Sequence, residues 1–133
     1  MARFTGVRTS AVPGAASVSV SGHRLPYAPE WTSTVTTGYR HRLGLDAQVE
    51  WQVVGRQFGD DLNTVVGTTD GQRGLLPDYL YINGTLSWRL PRIQATVFTT
   101  VKNVDNRLVL VDRTRGMLPG TPRLVQAGVR WTF

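Results

Sequence analysis

The segment from Arg123 to Phe133, RLVQAGVRWTF, alternates strictly in character. In an extended chain Val125, Ala127, Val129, Trp131 and Phe133 share one face, while Gln126, Gly128, Arg130 and Thr132 share the other. The interior segment from Leu45 to Arg56 repeats the pattern, with Leu45, Ala47, Val49, Trp51 and Val53 opposing Asp46, Gln48, Glu50 and Gln52. Such strands need an apolar surrounding on one side and a wet one on the other. A soluble sandwich supplies a core and bulk water; a transmembrane β-barrel supplies hydrocarbon and an aqueous lumen. Two carboxylates on the second face of the Leu45 segment require that this side meets water.

Three further segments carry the same period. From Trp31 to Arg40 the run WTSTVTTGYR is rich in Thr and aromatic residues, which favour strands, and sets Trp31, Ser33, Val35, Thr37 and Tyr39 on one side. Tyr79 to Arg89 sets Leu80, Ile82, Gly84, Leu86 and Trp88 against Tyr79, Tyr81, Asn83, Thr85 and Ser87. From Ile93 onward Ala95, Val97, Thr99 and Val101 oppose Gln94, Thr96, Phe98, Thr100 and Lys102, with a continuation through Arg107 to Val111. Asn83–Gly84 is the dipeptide that best marks a two-residue hairpin. The alternation nevertheless passes through it without a phase slip, so it is read as strand, with Gly84 at a close interstrand contact. The expected fold is all-β, an antiparallel up-and-down meander of about five to six strands.

At 133 residues the chain has single-domain length, and it contains no run of about 18 apolar residues that could form a membrane-spanning helix. Any crossing of a membrane falls to strands. The start, MARFTGVRTS, lacks the apolar stretch of an export signal. Cysteine is absent, which excludes a disulfide framework and thiolate metal sites. The net charge of +6 raises nucleic acid as a partner, but the basic residues are spread from Arg3 to Arg130. The densest cluster, Arg40, His41 and Arg42, has only Tyr39 beside it, and no nucleic-acid-binding pattern accompanies it. Nucleic acid is therefore not an expected partner; the charge is assigned to loops, rims and a polar interior.

The connections alternate in length: short at HRLG, long from 57 to 77, short at LPRI, medium from 112 to 122. The long one, QFGDDLNTVVGTTDGQRGLLP, is full of Gly, Asp and Asn turn formers and shows no strand pattern. Outer-membrane barrels have short periplasmic turns and longer external loops. Counting strand directions back from Phe133 puts the short turns at the periplasmic end. Tyr39, Trp88, Trp131 and Phe133 then gather near that end, where a girdle of interfacial aromatics belongs.

Three stretches carry a further signal: GHRLPYAPEWTSTVTTGYRH, VGRQFGDDLNTVVGTTDGQRGLLPDYLYINGTLSWRL and VKNVDNRLVLVDRTRGMLPGTPRLVQAGVRWTF. In order and spacing over residues 18 to 133 they resemble the C-terminal barrel segment of TonB-dependent outer-membrane receptors, closest in flavour to the ferric-citrate-receptor-like group. The carrying marks are LPYAPE before a downward strand, VGRQF before the long loop, VKNVDN at a strand end, and RGMLPGTPR before a closing strand that ends in Phe. The resemblance implies that residues 1–133 are a fragment of a large transmembrane β-barrel, with the plug domain and earlier strands absent and residues 2 to 5 at the top of an earlier strand. Complete receptors hold a plug inside a barrel of about 22 strands. It further implies capture of a ferric siderophore or ferric-citrate-like chelate in the outer loops and import energised by the TonB complex through the plug. Outer-membrane lipid around the barrel, and the barrel assembly machinery at the C-terminal strand, are the other implied partners.

An anionic chelate favours Arg, whose planar fork pairs with carboxylates in a bidentate way. The candidate ligand-binding residues are Arg73, Arg113 and Arg115 on the outer loops, Arg56 at a strand top and Gln52 facing the lumen. No catalytic constellation is present, so the chain is not read as an enzyme and no cofactor or metal is expected. His23 and His41 lack a nucleophile or ligand spacing. Asp60, Asp61 and Asn63 read as a turn without the calcium-loop pattern, and Asp46 and Glu50 stand too far apart to act on one bond. A second reading is a small closed β-barrel, lipocalin-like or a small outer-membrane protein, whose five or six strands pair round completely and hold a small ligand.

Overall fold

The structure, a computed structural model, describes residues 3–8 and 17–132. The expected girdle residue Phe133 and residue Ala2 of the expected strand top lie outside the described residues. In chain order the strands are β1 (Val7–Arg8), β2 (Val18–Ser19), β3 (Thr32–Arg40), β4 (Leu45–Val54), β5 (Gln57–Phe58), β6 (Leu75–Leu76), β7 (Tyr79–Leu90), β8 (Ala95–Lys102), β9 (Leu110–Asp112), β10 (Leu118–Pro119) and β11 (Leu124–Trp131). A 3-10 turn at Pro91–Ile93 is the one helical element among the described residues. These elements form two compact units. One, the loop unit, comprises Met1–Trp31, Gly55–Asp78 and Leu110–Gly120; the other, the sheet unit, comprises Thr32–Val54, Tyr79–Val109 and Thr121–Phe133.

The sheet unit is a five-stranded antiparallel meander in the order β11-β8-β7-β4-β3. Its register aligns the alternation of every strand. One row runs Tyr39, Ala47, Leu86, Thr99, Ala127, and the next on the same face runs Leu45, Trp88, Val97, Val129. The opposite face carries rows such as Thr36, Glu50, Asn83 and Gln48, Thr85, Thr100, Gln126. Ten large side chains of the apolar face, Val35, Tyr39, Leu45, Val49, Leu86, Trp88, Val97, Val125, Val129 and Trp131, are 36% to 64% exposed, while Trp51, Val53, Leu80, Ile82 and Val101 are half-buried. Each of the exposed ones forfeits about 1 kcal/mol if left half in water, and together they lose on the order of 10 kcal/mol, as much as a whole domain's stability. Among the described residues nothing covers these side chains, and the face calls for an apolar surrounding.

The strand expectations hold for β3, β4, β7, β8 and β11, and Asn83–Gly84 lies inside β7. Four details differ. The continuation of β8 through Arg107 to Val111 does not form: Asn103 and Asn106 take left-handed backbone at φ 50° and 52°, which Asn tolerates best after Gly, and the chain turns. Leu110–Asp112 instead pairs with Leu118–Pro119 in the loop unit. Gly84 is not at a close contact, since a β-carbon there would meet nothing within 4 Å. The five strands lie in an open row with β3 and β11 at its edges, so they do not pair round into a small barrel. The long stretch 57–77, expected to lack strand, holds the β5–β6 ladder.

The loop unit is held mainly by polar groups. Among the described residues its buried apolar side chains are Val20 and Leu76, the latter fully inaccessible, beside buried Arg24, Gln57, Asp60 and Arg113. Arg3 bridges to Arg24, and the Phe4 amide donates to the His23 carbonyl at 2.9 Å, so residues 3 to 5 stand against this segment instead of extending the five-stranded sheet. Asp60 collects the amides of Leu62, Thr64 and Gly74 and the Thr64 hydroxyl at 3.0 to 3.3 Å, closing the turn that leaves β5 and tying it to the approach to β6. At the end of β9, the Thr114 hydroxyl and amide, with the Tyr27 hydroxyl, hold the Asp112 carboxyl at about 2.

This geometry has two measurable outcomes. Gly44, at φ +85° in the HRLG turn, would place a β-carbon 2.7 Å from the Arg89 carbonyl oxygen. Gly44→Ala should therefore destabilise the folded chain by about 1 to 3 kcal/mol in a denaturant titration in detergent, while Gly84→Ala stays within about 0.5 kcal/mol of the parent. Asp112 is a depressed carboxylate, so its contribution to stability is present above 3.8 and lost as pH falls through about 2. A carboxyl-carbon NMR titration should show the low midpoint, and Thr114→Ala should move it up toward 3.8.

Candidate functional site

The polar face of the sheet exists because every second residue of each strand projects there, and the register brings unlike amides and charges together. At its centre Asn83 donates from Nδ2 to Glu50 Oε1 at 2.8 Å, and its Oδ1 accepts from the Asn103 amide at 3.1 Å. Asn103, 2% exposed, spends its own side chain on the chain beyond β8: Nδ2 donates to the carbonyls of Arg107 and Thr121, and Oδ1 accepts from the Arg107 amide. The VKNVDN segment is thus a hydrogen-bonded turn tied to Glu50 through Asn83. Asp46 takes Arg40 Nε at 2.8 Å and Gln48 Nε2 at 3.1 Å. The two carboxylates of this face therefore have separate partners, as their spacing implied.

Around this network lies a groove of about 580 Å3 lined by Gln48, Glu50, Gln52, Tyr81, Asn83 and Lys102. Gln52 is exposed there. The Tyr81 hydroxyl is shielded from solvent and has no hydrogen-bond partner among the described residues. The surface is a mix of amides, hydroxyls, one carboxylate and one ammonium. It can exchange hydrogen bonds with a polar solute or chain but offers neither a nucleophile–base pair nor, among the described residues, a group of ligands for a metal ion.

The arginine candidates all fall in the loop unit, and they divide by environment. Arg56 is exposed and donates from Nε to Glu30 Oε1 at 3.0 Å, sharing that oxygen with Arg24 Nη1 at 2.7 Å. Arg24 itself is buried, capping the carbonyls of Ala28 and Arg56 and lying 5.2 Å over the Phe58 ring. Arg73 is exposed on a turn in which its amide donates to Thr68 Oγ1. Within that turn the Thr68 hydroxyl, then the Gln72 amide, holds the Asp70 carboxyl below the usual carboxylate range. Arg113 is only 9% exposed; it donates from Nη1 to the Gly71 carbonyl at 3.0 Å and so anchors the turn that presents Arg73. Arg115 is exposed two residues further on. A side chain built at Gly71 would touch Met117, so the turns bearing Arg73 and Arg115 are neighbours within this unit.

Tyr39, Trp88 and Trp131 lie on the apolar face at the end closed by the short turns, all more than half exposed. The Trp88 indole donates to the Leu43 carbonyl at 3.3 Å. Sequence reasoning missed the Glu50–Asn83–Asn103 chain and the buried Arg24. The signal available for the first was that Glu50 and Asn83 fall on the same wet face; for Arg24 there was none, because its partners come from distant segments.

No protein-family model matches the sequence, and no curated protein matches it. Among solved structures, the ferric citrate transporter FecA in its unliganded form is similar, with a TM-score of 0.74 and 22% sequence identity. The match covers 83% of this chain and 18% of that one. At that identity the likeness is one of fold: an all-β, five-stranded antiparallel meander that matches part of the FecA barrel.

Proposed function

We propose that this chain is part of the wall of an outer-membrane receptor barrel of the TonB-dependent kind, and that the complete protein imports a ferric chelate of the citrate or siderophore type. The carrying observation is the sorting of apolar and polar side chains onto opposite faces in register across all five strands, with Phe98, laid over Gly128, the exception in the middle of the polar face. A lipid bilayer supplies the apolar surrounding for Val35, Val97, Val125 and Val129, and Tyr39, Trp88 and Trp131 sit at its periplasmic boundary. The Gln48, Glu50, Gln52 and Tyr81 side of the wall meets the wet interior. Arg73 and Arg115, with Arg56 beside Glu30, are the exposed forks for the carboxylates of an anionic chelate, and Arg113 holds the turn behind them. The plug and the TonB complex belong to the complete receptor, and the chelate class is taken by analogy from FecA, a ferric citrate transporter.

The absence of cysteine makes the membrane reading directly testable. Single cysteines at Val97, Val129, Thr100 and Gln126, in the chain refolded into lipid vesicles, should alternate: the first pair inert to a water-soluble maleimide and the second pair labelled. Equal labelling of both pairs would sink the reading. In the complete receptor, replacing Arg73 and Arg115 together with Ala should weaken ferric citrate binding at least about tenfold, since each charge-assisted contact contributes about 1.5 to 3 kcal/mol. Unchanged affinity would remove them from the ligand site without touching the membrane assignment.

A further inference from the structure

Asn83–Gly84 is the only Asn–Gly pair in the chain; Asn63, Asn103 and Asn106 precede Thr, Val and Arg. In an unstructured chain such a pair reacts with itself. The Gly84 amide nitrogen gives up its proton and attacks Cγ of Asn83. The new C–N bond closes a succinimide ring, the Cγ–Nδ2 bond breaks, and Nδ2 leaves with a proton as ammonia. Water then opens the ring at either carbonyl. One opening gives Asp; the other gives isoaspartate, in which the main chain runs on through the side-chain carbonyl. Glycine favours closure because no β-carbon shields its nitrogen. The branched or long side chains after the other three asparagines crowd theirs.

The folded sheet blocks each part of this reaction. Gly84 stands in the ladder between Val49 of β4 and Val101 of β8, and Asn83 stands opposite Glu50. Closure needs the bond from the Asn83 α-carbon to its carbonyl carbon turned far out of the extended region that a strand imposes. The side chain is fixed as well, with Nδ2 donating to Glu50 Oε1 at 2.8 Å and Oδ1 accepting from the Asn103 amide at 3.1 Å. Reaction therefore requires β7 to come free of both neighbours and Asn83 to release both hydrogen bonds.

The products do not fit back. An Asp in place of Asn83 sets a second carboxylate where the amide now donates to Glu50, and a hydrogen bond becomes a repulsion between like charges on directly opposed residues. Isoaspartate lengthens the main chain by one carbon ahead of Gly84, which throws β7 out of step with Val49 and Val101. We propose that Asn83–Gly84 is a self-modification site and a one-way clock on unpaired chain: it stays intact within the five-stranded sheet, converts while β7 is unpaired, and once converted keeps that chain out of the sheet. Nothing in this depends on what covers the apolar face.

The test holds the full chain at mildly alkaline pH in two forms, refolded in detergent micelles and unfolded in urea, and follows the peptide containing residues 83 and 84 by mass spectrometry. The folded chain should convert at least about tenfold more slowly, since only its opened state reacts. Asn63, Asn103 and Asn106 should stay intact over the same period. In samples taken from urea and returned to micelles, the fraction that regains its sheet by circular dichroism should fall in step with conversion of Asn83. Gly84→Ala, whose added carbon meets nothing within 4 Å in the fold, should refold normally and convert at least about tenfold more slowly in urea. Asn83→Asp should refold poorly or with a lowered urea midpoint, and adding Glu50→Gln, whose amide can donate to the new carboxylate, should restore both. The proposal is overturned if folded and unfolded chains convert at the same rate, or if converted chain refolds as well as intact chain. It is equally overturned if Asn83→Asp matches the parent, or if Glu50→Gln brings no recovery.

Discussion

Everything in the sheet depends on one alignment: five strands are hydrogen-bonded so that the apolar half of each falls on the same side. With a side-chain period of two, a slip of one residue in any pairing would turn that strand inside out, placing Asp46, Glu50 or Arg130 among Val and Trp side chains. Because one face then carries ionised groups and the other large hydrocarbon side chains, the error is too costly to be populated. The register is in turn set by turns that cannot lengthen or relax. Gly44 adopts a backbone conformation closed to most residues, and its carbonyl accepts the Arg89 amide at 2.9 Å, fastening the HRLG turn to β7. At the other end, Asn103 fastens the chain leaving β8 to the approach of β11.

The loop unit reaches order by a different route. It buries little hydrocarbon and instead satisfies buried charges with specific partners: Asp60 with three amides and a hydroxyl, Arg24 with a carboxylate, two carbonyls and an aromatic face. Such networks contribute less net stability than a hydrophobic core of equal volume, but removing one partner leaves a buried group unpaired, so the arrangement is specific. The buried arginines hold turns in place, and the exposed ones on those turns are then presented without flexible packing behind them.

The polar face divides into two regions of contrasting chemistry. Its middle is nearly neutral, rich in amides and hydroxyls, and internally tied through Glu50 and Asn83. Its turn end is strongly basic, because Arg40, Arg89 and Arg130 occupy polar-face positions near the ends of three different strands. None of these is unusual in its own segment. Their convergence is a product of strand order, since β3, β7 and β11 all end at the same side of the meander.

Local pattern alone was enough to read the five strands, the composition of both faces, the lengths of the connections and the continuity of β7 through Asn83–Gly84, because a period of two is a property of neighbours in the chain. It misjudged the segment after Lys102, where the apolar residues Leu108 to Val111 look strand-like but two left-handed Asn residues redirect the backbone. It also supposed a crowding at Gly84 that does not exist. The fates of the arginines were decided only in three dimensions. Arg113 and Arg115 are two residues apart on one loop, yet one is buried on the Gly71 carbonyl and the other is exposed. Burial and pairing depend on which distant segments arrive alongside, Arg24 with Arg56 and Gly71 with Arg113, and no periodicity within a segment carries that information.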